Sequence, residues 1–377
     1  MAMSRPQVQC PIQCQLCEGE PKVKWKCLDC DLLMCSKCKD KVHSKFKSEK
    51  DHRIIDIKDI GQQSKGVYQQ DKKNTSQPEL GVPSPPTNVK LINIKEYKTK
   101  MLNIRFLAVS LDGSLWIGDG DMEKGFHLFT SHTALQNVKL VGDKVKVISS
   151  FNIEVCDIAV SPTNDILLAT GEKILKQIKA GSNKVSDSVY FVELSYIKSV
   201  HVTKDGRVIV GRNKVVIVMD TDGNHLTRYM EDKNNKPIFD GNIWCITSTL
   251  NGNIFVAKPY SNNPRVVVLG KGDAISYYTG HPSINRYNAF WPEAVITTPM
   301  DNVIVADFSS HTLHILDNTG HLLTIYNTKD RGIEYPRSLA ITMEGNFAVL
   351  YIGCRNTGSC EDSSDTGRLY KMNIIGC

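Results

Sequence analysis

The sequence predicts a mainly β chain, a small metal-ordered module followed by a six-bladed β-propeller. Two observations carry that reading. Seven of the twelve cysteines crowd between Cys10 and Cys38, and two histidines follow at His43 and His52. From residue 104 onward, short apolar runs alternate with Gly/Asn/Asp turns at a period of 40–50 residues, the spacing of propeller blades of about four strands each.

The cysteine cluster fixes the first element. Its spacing is Cys14-x2-Cys17, x9, Cys27-x2-Cys30, x4, Cys35-x2-Cys38, x4, His43, x8, His52. Eight ligand-type residues in 39 positions are enough for two tetrahedral sites, with Cys10 left over as a free thiol. A C-x-x-C turn brings two thiolates to one ion, and thiolate with imidazole suits zinc. The segment has few apolar residues, among them Val23, Trp25, Leu32, Leu33, Met34 and Val42. Hydrophobic burial alone would not order it. Two structural zinc ions, at about 10 kcal/mol or more each, would supply the missing folding energy. Sites closed by four protein ligands leave no position for catalytic water.

The run from Cys14 to His52, closing with Asp51-His52-Arg53-Ile54-Ile55-Asp56-Ile57, resembles a B-box zinc finger of the tripartite-motif (TRIM) family, type 1 because the second ligand is Cys. The resemblance implies interleaved sites, with Cys14, Cys17, Cys35 and Cys38 on one zinc and Cys27, Cys30, His43 and His52 on the other. Spacing alone fits a sequential pairing equally well. A RING normally precedes this finger and needs some 40 residues of its own, whereas 13 precede Cys14. No direct recruitment of a ubiquitin-conjugating enzyme is therefore expected.

Three segments follow from these boundaries: the finger at 10–60, a flexible linker at 61–88 and the propeller at 89–377. Between 61 and 88 only Val67, Tyr68, Leu80 and Val82 are sizeable apolar residues, so no heptad seam can be laid down. The family's coiled-coil dimer is not expected.

The repeats define the last element. From Gly113 the first hairpin turns recur at Asp165, Gly206, Gly252, Asn302 and Gly345, steps of 52, 41, 46, 50 and 43 residues. Each turn leads into a second apolar strand, such as Val208-Ile209-Val210 or Val303-Ile304-Val305. The sixth unit stops at its third strand, Arg368–Asn373, and the strand at Val89–Ile94 has no other home. Their pairing is expected to close the ring and remove two open sheet edges. The arrangement is similar to the NHL-like propeller that ends some TRIM proteins.

Composition limits the functions. The chain has a formal charge of +6, but residues 1–80 hold 15 Lys/Arg against 11 Asp/Glu and the remaining 297 hold 31 against 29. The propeller is thus near neutral, without the basic excess of a nucleic-acid stripe. No run reaches the 18 or so apolar residues of a membrane helix, no signal peptide is visible, and Cys377 is misplaced for prenylation. Zinc thiolates point to the reducing cytoplasm. Asp220-Thr221-Asp222-Gly223-Asn224 fails as a calcium loop because His225 holds the glycine position, leaving a hairpin turn. No H-E-x-x-H or G-x-S-x-G occurs.

The expected function is therefore a zinc-binding adaptor, not an enzyme, that docks a partner protein through its propeller within ubiquitin-linked regulation implied by the TRIM resemblance. Neither membrane nor DNA is an expected partner. The alternative is a single-stranded RNA-binding regulator using the propeller face and arginines such as Arg212, Arg265, Arg286 and Arg337. The candidate surface lies on loops that enter each blade's first strand or join its second and third. Trp244, Tyr260, Arg286, Trp291, Tyr335 and Arg337 lie there, residue types enriched at interface hot spots. Against that stands the plainer role of filling space between blades.

Overall fold

A computed structural model describes residues 23–27, 33–41, 54–56, 89–119, 135–193, 196–286, 288–355 and 366–376. The chain divides into two units, 1–82 and 83–377. In the first, β1 (Trp25–Cys27) is the middle of an antiparallel sheet between β2 (Leu33–Met34) and β3 (Ile54–Asp56). Helix α1 (Ser36–Lys41) follows β2 directly. Met34 is fully buried, while Trp25 donates from Nε1 to Ser36 Oγ at 3.2 Å and lies 3.9 Å beneath the Lys39 ammonium. The 61–88 linker, Cys10 and the 356–365 loop lie outside the described residues.

The second unit opens with β4 (Lys90–Lys98). Blade 1 is β5 (Phe106–Val109), β6 (Leu115–Gly118), β7 (Leu135–Val141) and β8 (Lys144–Phe151). Blade 2 is β9 (Asp157–Val160), β10 (Ile166–Ala169), β11 (Ile174–Ile178) and β12 (Val185–Phe191). Blade 3 is β13 (Ser199–Val202), β14 (Val208–Arg212), β15 (Val215–Met219) and β16 (His225–Tyr229). Blade 4 is β17 (Cys245–Ser248), β18 (Ile254–Lys258), β19 (Arg265–Leu269) and β20 (Ala274–Tyr278). Blade 5 is β21 (Pro292–Thr297), β22 (Val303–Asp307), β23 (Thr312–Leu316) and β24 (Leu322–Asn327). Blade 6 holds β25 (Pro336–Glu344), β26 (Phe347–Cys354) and β27 (Arg368–Ile375), with β4 as its outer strand.

The ring thus closes by β4 on β27, antiparallel, from Lys90 opposite Ile375 to Lys98 opposite Arg368. Both strands run further than their apolar residues suggest. Asn93 takes a left-handed φ of 55° where the register shifts, a conformation that Asn tolerates, and the strand resumes beyond it to Lys98. Middle strands such as β14, β18 and β22 are buried along their whole length because a neighbouring blade covers each face. That is why the sequence there reads as continuous apolar runs rather than alternation.

Polar contacts join all six neighbouring blades. Leu111 N donates to Asn164 Oδ1 and Val200 N to Asp157 Oδ2. His201 Nε2 meets Ser248 Oγ at 2.8 Å, and Thr247 Oγ1 meets Thr297 Oγ1 at 2.9 Å. Arg337 Nε donates to Glu293 Oε1, and Ser338 Oγ to the carbonyl of Ile104 at the start of blade 1. The Asp220–Asn224 segment is a hairpin turn, in which Asp220 Oδ1 accepts from the backbone N–H groups of Asp222 and Asn224. At Gly223 (φ 86°) a Cβ would stand 2.6 Å from the carbonyl oxygen of Val189, so this turn needs glycine.

Candidate docking surface

The residue before each first strand lies beside the end of the second, as when Trp244 N donates to Ala257 O, Arg105 N to Gly118 O and Lys198 N to Gly211 O. Six such residues therefore crown one end of the propeller: Arg105, Cys156, Lys198, Trp244, Trp291 and Tyr335. Blades 1 and 4 stand opposite each other in a six-blade ring, yet the Arg105 guanidinium lies 4.5 Å from the Trp244 ring. It therefore reaches across the axis.

From that contact a chain of rings runs through blades 4, 5 and 6. Trp244 packs edge-on against Tyr260 at 4.7 Å, and Tyr260 against Trp291 at 5.1 Å. Trp291 donates from Nε1 to Glu293 Oε2 at 2.9 Å, and the other oxygen of that carboxylate takes Arg337 Nε at 3.1 Å. The Arg337 guanidinium lies 5.8 Å from the Phe308 ring. Phe308 meets Tyr335 at 5.2 Å, and Tyr335 meets His311 at 4.3 Å. Trp244, Trp291 and Tyr335 are half-buried, and Tyr260 is 39% exposed. Burial, joined by the Glu293 charge, raises the Tyr260 phenol above its ordinary pKa, and Arg105 and Arg337 partly oppose that.

Of the six residues read from the sequence, the structure links Trp244, Tyr260, Trp291, Arg337 and Tyr335 in this one chain. Arg286 is placed instead at the exposed C-cap of α2 (Pro282–Asn285). Arg105, Glu293, Phe308 and His311 were not legible as members. Arg105 carries a signal: it occupies the same position before its first strand as Trp244 and Trp291 do before theirs.

A buried network under blade 5 holds the Trp291 loop. Asp307, fully buried, accepts from Trp291 N at 3.0 Å, Asn285 Nδ2 at 2.7 Å and Ser310 Oγ at 2.6 Å. His314, also fully buried, lies 3.6 Å from it and is fixed by Tyr278 and Thr312. Burial raises the Asp307 pKa, but the hydrogen bonds from His314, Ser310 and Asn285 outweigh it, and the carboxyl stays below its ordinary value.

A cavity of about 730 Å³ lies along the first strands and reaches the opposite end, where Thr203, Leu250, Thr298 and Met343 line it. Among the described residues no group of three or more His, Cys, Asp or Glu is placed to hold a metal ion. Of the eight zinc-ligand candidates, Cys14, Cys17, Cys30, His43 and His52 lie outside the described residues. Cys27 ends β1 opposite Ile54, Cys35 immediately precedes α1, and Cys38 lies in its first turn.

Residues 14–54 match the ANCHR-like B-box zinc-binding domain family. No curated protein matches the chain. Among solved structures, the PQQ-bound form of aldose sugar dehydrogenase from Streptomyces coelicolor is 12% identical, covering 78% of this chain and all of its own, with a TM-score of 0.52. Selenomethionine-substituted virginiamycin B lyase from Staphylococcus aureus is 13% identical over 76% of this chain and all of its own, with a TM-score of 0.48. At such identities the likeness is one of fold, which does not carry function with it. The chain thus combines a B-box zinc-binding domain with a six-bladed β-propeller.

Proposed function

We propose that the chain is a zinc-binding adaptor that docks a partner protein on the propeller end where the first strands begin. The observation that carries this is the unbroken succession Arg105–Trp244–Tyr260–Trp291–Glu293–Arg337 across blades 1, 4, 5 and 6. Half-buried aromatic rings held by the Arg337–Glu293 pair, whose carboxylate is buried, lose little entropy on binding, as an interface anchor requires. Filling space between blades explains Trp291 in part, but not why Tyr260 stays well exposed between two indoles.

The B-box contributes binding in the same sense. Cys35 and Cys38 fall one helical turn apart around the start of α1, so one ion can take both. Ile54, two residues after His52, stands opposite Cys27, which supports the interleaved pairing of Cys27, Cys30, His43 and His52. Two zinc ions closed by four ligands each would order the domain without catalysis. By resemblance to TRIM proteins the docked partner would belong to ubiquitin-linked regulation, with ligase activity supplied by another chain.

The test is capture of proteins from cell extract by the full chain beside a Trp244→Ala/Trp291→Ala variant matched for melting temperature. Proteins held by the parent should be lost by the variant, with affinity reduced by about 30-fold or more for each hot-spot ring. Equal retention by both would remove this face from the function.

A further inference from the structure

Blade 3 carries a second feature on the same end. A pocket of about 340 Å³ is lined by Arg212, Asn213 and Lys214 of the β14–β15 hairpin, by Arg228 and Met230 of the outer strand and its end, and by Gly241 and Asn242 of the loop into blade 4. No Asp or Glu lines it. Arg212 is 5% exposed, and among the described residues neither Nε nor Nη1 has a hydrogen-bond partner. A buried guanidinium without counter-charge is costly, and native proteins satisfy such groups or give them a ligand.

The surrounding charges reinforce this. Burial, then the positive charge of Arg228, depresses the Arg212 pKa, so the charge facing it across the pocket is repulsive. The carboxylate beside the pocket, Asp240, is already engaged by Lys258 Nζ and lies 3.7 Å from Arg265 Nη2. Three cations, two amide side chains and an unmet buried donor pair thus converge with no acid of the pocket's own.

We infer that this pocket binds the phosphate group of a phosphorylated side chain carried by the docking partner, an assignment that rests on the docking reading above. Three observations favour that source. The cations converge on one pocket rather than along a track, whereas a nucleic-acid strand needs a run of backbone contacts. A monoester dianion gains more from two arginines and a lysine than a singly charged diester or carboxylate does. The pocket also adjoins the aromatic face. Asn242 is two residues before Trp244, and a Cβ on Gly241 would stand 3.3 Å from the Tyr260 carbonyl oxygen. A segment lying over Trp244 and Tyr260 therefore passes the pocket mouth.

The test titrates O-phosphoserine and inorganic phosphate into the full chain at constant ionic strength, read by calorimetry and by melting temperature. Saturable binding of both is expected. Arg212→Met should weaken it about ten-fold or more, the loss of charge-assisted hydrogen bonds, and should melt at or above the parent temperature without ligand because an unmet charge is gone. Arg228→Ala, on an exposed strand position, should weaken binding less and leave the unliganded melt unchanged. No saturable binding, or parent-like binding by Arg212→Met, overturns the site. Equal binding of glutamate overturns the phosphate assignment, and tighter, Arg212-dependent binding of a single-stranded RNA oligomer overturns the protein source. Because these probes need no partner, the Trp244→Ala/Trp291→Ala variant should still bind phosphoserine, which separates failure of the pocket from failure of the docking face.

Discussion

At Asp307 a fully buried carboxylate accepts from the side chains of Asn285, Ser309 and Ser310 and from the Trp291 backbone, so one residue ties the core of blade 5 to the candidate docking face. Asp307→Ala leaves several buried donors unmet and should cost about 3 kcal/mol or more, read as a lower denaturant midpoint, while Asp307→Asn should cost less. A second residue makes the fold sensitive to acid. Burial lowers His201 from 6.5 to about 4. Below pH 6.5 the unfolded chain takes up a proton that the folded imidazole refuses, so stability falls as pH drops from about 6.5 to 4. Asp157, raised by burial to about 7, acts with the opposite sign, losing stability as pH rises towards 7. The stability difference between the parent and His201→Gln isolates the histidine: it should slope between pH 4 and 6.5 and be flat above 7, whereas parallel curves would exclude this role. On the candidate face, Trp244, Trp291 and Tyr335 stood out in the sequence because each is a bulky residue directly before a first strand. Glu293 and Asp307 did not, since burial and pairing across blades are properties of the assembled ring.

Strand β4 shows the same division at the scale of elements. Its existence followed from counting, because the last unit lacked a fourth strand and Val89–Ile94 lacked a sheet. Its extension to Lys98 past a left-handed Asn93 did not, because Lys95, Glu96 and Lys98 give no apolar signal. Blade turns were legible through residues that accept positive φ, including Gly113, Gly206 and Gly252. At two turns the residue is Asn164 or Asp301, whose side chain also accepts a backbone N–H from the preceding blade. That second duty explains why glycine is absent there. Leu91, 5% exposed in the core shared by blades 5 and 6, is the apolar anchor of the closing strand. Leu91→Ala should destabilise the propeller by about 2–4 kcal/mol. Deleting residues 89–98 should free the β27 edge and drive self-association, visible as larger species in size-exclusion chromatography. An unchanged melt and a monomeric profile would deny β4 its closing role.

The whole molecule joins two ways of making a fold. The propeller buries its middle strands between blades, whereas the described part of the N-terminal unit has a three-stranded sheet and one short helix, with Met34 buried among the side chains described there. The sequence of that unit, poor in apolar residues and rich in thiols, calls for metal to supply folding energy. That contrast was legible in cysteine spacing alone, and the match of residues 14–54 to a B-box zinc-binding domain agrees with it. The division of ligands between ions was not legible, because interleaved and sequential pairings have the same spacing. Native mass spectrometry of the full chain, before and after a strong chelator, tests the claim most directly. Two zinc ions per chain are expected, with loss of amide-exchange protection at residues 25–27 and 54–56 once they are removed. A chain that carries no stoichiometric zinc, or keeps that protection without it, would contradict the account.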